Sequence, residues 1–217
     1  MMDQNETIGA KRRLGEMREP PSLESAHENL LYIRRTLEAA GQFTAVPGKC
    51  LMGAGIAALA GVEVNKHFTG APWMAGAETI RALEVWGLVL AVSLAIVSMG
   101  IYRKSLLMRT RIQAPLIRKL LWSLCPSLFV GAVLTHLAVK SGGLQWLPTV
   151  WLGCYGAAVA NGGQVSVAPV RYMGACLLLV ASGAALSPAG MGLTWLAVGF
   201  GWIHLVFGAY IAWRHNG

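Results

Sequence analysis

The groups in this 217-residue chain able to carry chemistry are few, and their placement is lopsided. It has five histidines and four cysteines, and its last carboxylate is Glu84, although long apolar blocks continue to Gly217. Membrane-embedded carboxylates are the usual carriers of coupled protons and cations, so the commonest transport chemistry is missing from the larger part of the chain. Two histidines, His136 and His204, fall within separate apolar blocks. Imidazoles on two different helices could ligate a haem or a chlorophyll-type macrocycle. No partner carboxylate and no Cys-x-x-Cys-His accompanies them, and the two fall at different depths. The plainer role is one hydrogen bond to a carbonyl, serine or threonine. His67, near Glu63 and Glu78 in the stretch Asn65–Ile80, reads as part of a solvated loop rather than a metal site. No cofactor and no metal are expected.

Catalytic patterns are also missing. Gly53-x-Gly55 lacks the strand and third glycine of a dinucleotide turn, and neither a P-loop nor His-Glu-x-x-His occurs. Ser123, Ser127, Ser182 and Ser187 have no obvious base in reach. Cys50, Cys125, Cys154 and Cys176 lack the close or paired spacing of metal clusters and disulfide frameworks, and read as buried thiols. These absences point away from an enzyme.

Composition explains what the apolar blocks are. Hydrophobic residues make up 55% and charged residues 13%, about half the charge of an ordinary soluble domain. The net charge of +8 gathers beside apolar blocks, as expected for loops facing anionic headgroups and not for a nucleic-acid surface. The expected fold is therefore all-α: a polytopic membrane bundle of about six helices preceded by a cytoplasmic amphipathic helix. Spans are expected at about Val46–Val64, Leu83–Ile101, Leu120–Val139, Leu147–Ala160, Val170–Leu186 and Leu193–Trp213, within a domain 46–213.

Residues 1–21 read as a polar, disordered cytoplasmic tail, not a secretory signal. Pro20-Pro21-Ser22 then supplies a break and a cap, and Gly41 a stop, for a helix over 22–41. Leu23, Ala26, Leu30, Ile33, Leu37 and Ala40 share one stripe of that helix. With six spans and both termini inside, Lys66, Arg81 and Lys140 are the only cations outside, as the positive-inside rule requires. Trp146, Trp151 and Trp195 then mark outer ends, and Tyr102, Trp122, Tyr172 and Trp213 inner ends. Gly53, Ala57 and Gly61, Gly156 and Ala160, and Gly199, Gly201 and Gly208 form small-residue ladders suited to close helix packing, within the chain or in a homodimer. The connector 102–121 carries Arg103, Lys104, Arg109, Arg111, Arg118 and Lys119, and reads as an interfacial segment held by anionic lipids or a face for an acidic partner.

The run Glu28-Asn29-Leu30-Leu31-Tyr32-Ile33-Arg34-Arg35-Thr36-Leu37-Glu38, followed by Phe43-Thr44-Ala45-Val46-Pro47-Gly48, resembles the start of a family of bacterial multi-pass membrane proteins with no assigned activity. The resemblance implies a bacterial inner-membrane protein with a cytoplasmic pre-membrane helix, and it carries over no site residues. Two functional expectations compete. One is an accessory or regulatory subunit that docks a partner through helix 22–41 and the basic connector. The other is a small permease or channel for a neutral, apolar or anionic solute, with Asn161-Gly162-Gly163-Gln164 or Ser187-Pro188 as non-helical backbone at a pore mouth. A haem- or pigment-binding subunit is a third.

Overall fold

A computed structural model describes residues 27–33, 47–69, 73, 78–107 and 114–214. The chain divides into two units, Met1–Gly41 and Gln42–Gly217, each taken by itself. In the first, residues 27–33 form a helical run, α1, with Leu30 and Ile33 exposed. The tail 1–21 and Leu37 lie outside the described residues.

The second unit contains α2 (Gly48–Thr69), α3 (Glu78–Leu107), α4 (Ala114–Ser141), α5 (Leu147–Gly162), α6 (Ala168–Leu186) and α7 (Gly192–Arg214). Every regular element among the described residues is helical. Four segments are long and apolar enough to cross a membrane: Ile80–Arg103, Arg118–Ser141, Ala168–Leu186 and Gly192–Arg214. The other two helices miss that standard for separate reasons. α2 carries Lys49, Glu63 and Lys66, and α5 has only 16 residues.

Several expected boundaries are corrected. α2 continues through Thr69, so His67 sits on a helix and not in a loop. The basic connector is mostly helix. Arg103 and Lys104 lie in the last turns of α3, Arg118 and Lys119 in the first turns of α4, while Arg109 and Arg111 fall outside the described residues. Arginine and lysine are good helix formers, so nothing in these residues stops α3 where the bilayer does. Its 30 residues reach about 45 Å, well beyond a hydrocarbon core of about 30 Å.

Consecutive and neighbouring helices run antiparallel. Gly53 lies against Ile96 and Gly61 against Val89, which sets α2 against α3. Gly131 meets Cys154 across α4 and α5, Gly156 meets Leu177 across α5 and α6, and Gly199 meets Leu177 across α7 and α6. Along the bundle the neighbours follow the order α3, α2, α7, α6, α5, α4. This register gathers Lys49, Arg103, Arg118, Lys119, Arg171 and Arg214 at one end, and Lys66, Arg81 and Lys140 at the other.

Between α2 and α7 the close approaches involve backbone on both sides. A Cβ on Gly208 would stand 2.8 Å from the Gly48 carbonyl oxygen, and one on Gly55 would stand 2.9 Å from that of Gly201. Each helix thus offers two glycines seven residues apart, two turns of one face, to the other. Lipid competes poorly with such a seam, because backbone-to-backbone contact gains dispersion on both sides. The interior beside it is filled by Leu147, Leu152, Met173, Leu177, Leu196 and Ile211, all fully buried.

Gly208→Val should therefore destabilise the bundle by about 1–3 kcal/mol or more, since the backbone it meets cannot step aside. Gly87→Ala, where an added Cβ meets nothing within 4 Å, should stay within about 0.5 kcal/mol. Reversible unfolding in bicelles compares the two.

Candidate functional site

One buried polar residue, His204, lies among aromatic rings. His204 is 4% exposed and follows directly on the π-helical turn Ala197–Ile203 of α7. Its backbone N–H bonds the Gly201 carbonyl, and its ring Nδ1 lies 3.2 Å from the carbonyl of Gly199. A carbonyl only accepts, so Nδ1 carries the proton and donates. In the neutral ring Nε2 is then an acceptor, and the Tyr155 hydroxyl 2.9 Å away donates to it. The two rings are stacked, with centroids 5.5 Å apart at 22°.

From this pair an aromatic chain crosses the bundle. Tyr155 packs edge-on to Phe200, Phe200 meets Trp86, Trp86 meets Trp151, and Trp151 packs edge-on to Trp73. Trp86 comes from α3 and so links that peripheral helix to both α5 and α7. The indole of Trp73 donates to the Leu144 carbonyl at 2.9 Å. That of Trp151 donates to Thr135 Oγ1 at 2.9 Å, and Thr135 donates onward to the Gly131 carbonyl. At the basic end, Asn161 Nδ2 donates to the Ser123 carbonyl at 2.8 Å, one turn before Pro126 interrupts the α4 ladder. α5 is thus tied by polar side chains to both α4 and α7.

Four buried side-chain atoms among the described residues have no hydrogen-bond partner, Asn65 Oδ1 on α2, Trp86 Nε1 on α3, Gln145 Oε1 and Trp195 Nε1, and the first two lie on consecutive helices. The register of Gly61 on Val89 puts residues 65 and 86 at the same level. One atom accepts and the other donates. Asn65 itself is 1% exposed and donates through Nδ2 to Thr69 Oγ1 at 2.7 Å.

No family model, no curated protein and no solved structure matches this chain. The resemblance drawn at Glu28–Glu38 and Phe43–Gly48 stands on those residues alone.

The sequence-derived candidates do not converge. His136 is exposed on α4, whereas His204 is buried with both ring nitrogens engaged, so the pair forms no axial ligand set. Glu63 pairs with Lys66 at 2.7 Å, and the His67 ring packs on Phe68. Asn161 and Gly162 end α5, and Gly163–Val165 continue as a 3-10 turn, which removes the expected irregular backbone there. Ser187 is extended as expected, but its hydroxyl turns back to the Gly183 carbonyl. Trp151 and Trp195 lie near helix starts as expected but are half-buried against neighbouring helices, Trp195 lying against Gly183. Trp122, Trp146, Trp213, Tyr102 and Tyr172 are exposed near helix ends. Sequence reasoning missed Tyr155 and Asn65. Both are polar side chains inside apolar stretches, and that alone marks them for burial with a partner.

A double-mutant cycle between Tyr155→Phe and His204→Leu should return a coupling of about 0.6 kcal/mol and no more than roughly 1.7, the range of interhelical hydrogen bonds in membranes. Added haem should give no Soret shift beyond that of the His204→Leu variant.

Proposed function

We propose that the chain is a non-enzymatic integral membrane subunit with six spans and both termini on the basic, cytoplasmic side of a bacterial inner membrane. The antiparallel packing of α2 and α5 among the four qualifying helices supports six crossings. α5 is also extended by 3-10 turns at Leu144–Trp146 and Gly163–Val165, giving a continuous helical run of about 35 Å. Lys49 and Lys66 fall in the terminal turns of α2, and Glu63, one turn further in, pairs with Lys66. The collection of cations at one end fits the orientation.

In this reading the amphipathic segment 22–41 and the basic ends of α3 and α4 dock a partner protein on the cytoplasmic face. The observation that carries it is the apolar surface on α1: Leu30 is 65% and Ile33 51% exposed. Exposed apolar side chains gathered on one helix face are a candidate contact surface. The filled interior weighs against the permease, because a solute path has to pass through Leu147, Leu152, Leu177 and Leu196.

Purification from native membranes in mild detergent should yield one stoichiometric companion by intact-complex mass spectrometry. Leu30→Ser with Ile33→Ser should weaken its binding by about a hundredfold or more, the loss of two buried aliphatic anchors. Monodisperse protein without a companion, together with solute flux in liposomes, overturns the proposal in favour of the permease.

A further inference from the structure

An open cleft of about 640 Å³ lies between the start of α6 and the end of α7, at the basic end of the bundle. It falls within the roughly 300–1,000 Å³ typical of ligand clefts. Its walls include Pro169, Tyr172, Val206, Phe207, Tyr210 and Arg214. Val206, Tyr210 and Arg214 are four residues apart, so they line one face of α7 over about 12 Å. The chemistry is graded along that length. Apolar Val206 and Phe207 lie toward the bundle centre, the phenols Tyr210 and Tyr172 come next, and the Arg214 guanidinium stands at the end. Arg171 adds a second guanidinium beside the mouth, 5.5 Å over the Tyr172 ring.

No Asp or Glu follows Glu84, and the acidic residues described in the bundle, Glu63, Glu78 and Glu84, lie on the helix ends opposite the cleft. The cleft opens outward, with Val206 62% and Tyr172 57% exposed, so its apolar floor faces the surroundings of the helices. An occupant must therefore present an anion, then hydrogen-bonding oxygens, then hydrocarbon, in that order along about 12 Å. A glycerophospholipid has this sequence of groups.

We propose that the cleft between α6 and α7 is a specific site for one anionic phospholipid. Arg214 and Arg171 hold the phosphate by charge-assisted hydrogen bonds. The hydroxyls of Tyr210 and Tyr172 meet the headgroup and ester oxygens, and one acyl chain lies along Val206 and Phe207. The site stands apart from the docking reading, since it uses neither α1 nor the ends of α3 and α4.

The test uses the full chain in nanodiscs of mixed phosphatidylglycerol and phosphatidylcholine, released into native mass spectrometry. The wild-type protein should keep one phosphatidylglycerol after bulk lipid is stripped. Arg214→Gln with Tyr210→Phe should cut that occupancy about tenfold. Both substitutions lie on exposed side chains, and unchanged helicity and elution volume confirm the fold. Arg118→Gln, a cation at the same end but outside the cleft, should leave occupancy unchanged. Equal loss in Arg118→Gln means diffuse surface charge and overturns the site. Equal retention of phosphatidylcholine, or complete competition by chain-free glycerol phosphate, overturns its assignment to an anionic lipid.

Discussion

Where α2 crosses α7, the Gly48 carbonyl and the Gly208 backbone occupy space that any side chain would claim. The contact repeats two turns away at Gly55 and Gly201. Much of the remaining architecture follows from this double point of contact. α2 is the least apolar of the long helices, and it is held in the bundle by proximity more than by hydrophobicity. With α2 fixed, α3 has a helix to lie against, and Trp86 can reach the rings of Trp151 and Phe200. The same economy of side chain recurs between α5 and α6, where Gly156 and Gly174 face Leu177 and Ala160. In an apolar solvent, where burying hydrocarbon gains little, close approach and paired polar groups carry the association.

The apolar blocks, the small-residue ladders and the uneven distribution of cations could be read directly, because each depends on residue type at local spacing. Ala160 faces Gly174, and Gly61 faces Val89, so both ladders serve packing within the chain. Helix ends were harder to read. A basic residue marks where a helix leaves the hydrocarbon but does not end its hydrogen-bond ladder, and so α3 runs on through Arg103. The direction in which an aromatic residue points was also hidden. Trp151 and Trp146 are five positions apart, yet one donates to Thr135 inside the bundle and the other is exposed. Only the angular position of the helix among its neighbours decides between them.

The site was the least legible part. His204 stood out by type, but its partners are a hydroxyl 49 positions upstream and a carbonyl presented by a π-helical turn. Neither follows from local spacing. The result is a histidine fixed as one tautomer by two bonds of opposite sense, which ties α5 to α7 in the middle of the bundle. Asn65 and Trp86 are related in a different way. They come from helices adjacent in the chain, and the glycine contacts of α2 on α3 put them on one level.

The seam between α2 and α7 joins the first of the six bundle helices to the last, and this bears on how the protein is made. During synthesis α2 emerges early, carrying Lys49, Glu63 and Lys66 and too little hydrocarbon to partition firmly alone. Its glycine-lined face waits until Gly201 and Gly208 leave the ribosome, near the end of the chain. Until then α3 is its one established neighbour, as an antiparallel hairpin. A nascent chain that has not reached Gly201 therefore leaves the glycine face of α2 uncovered by α7.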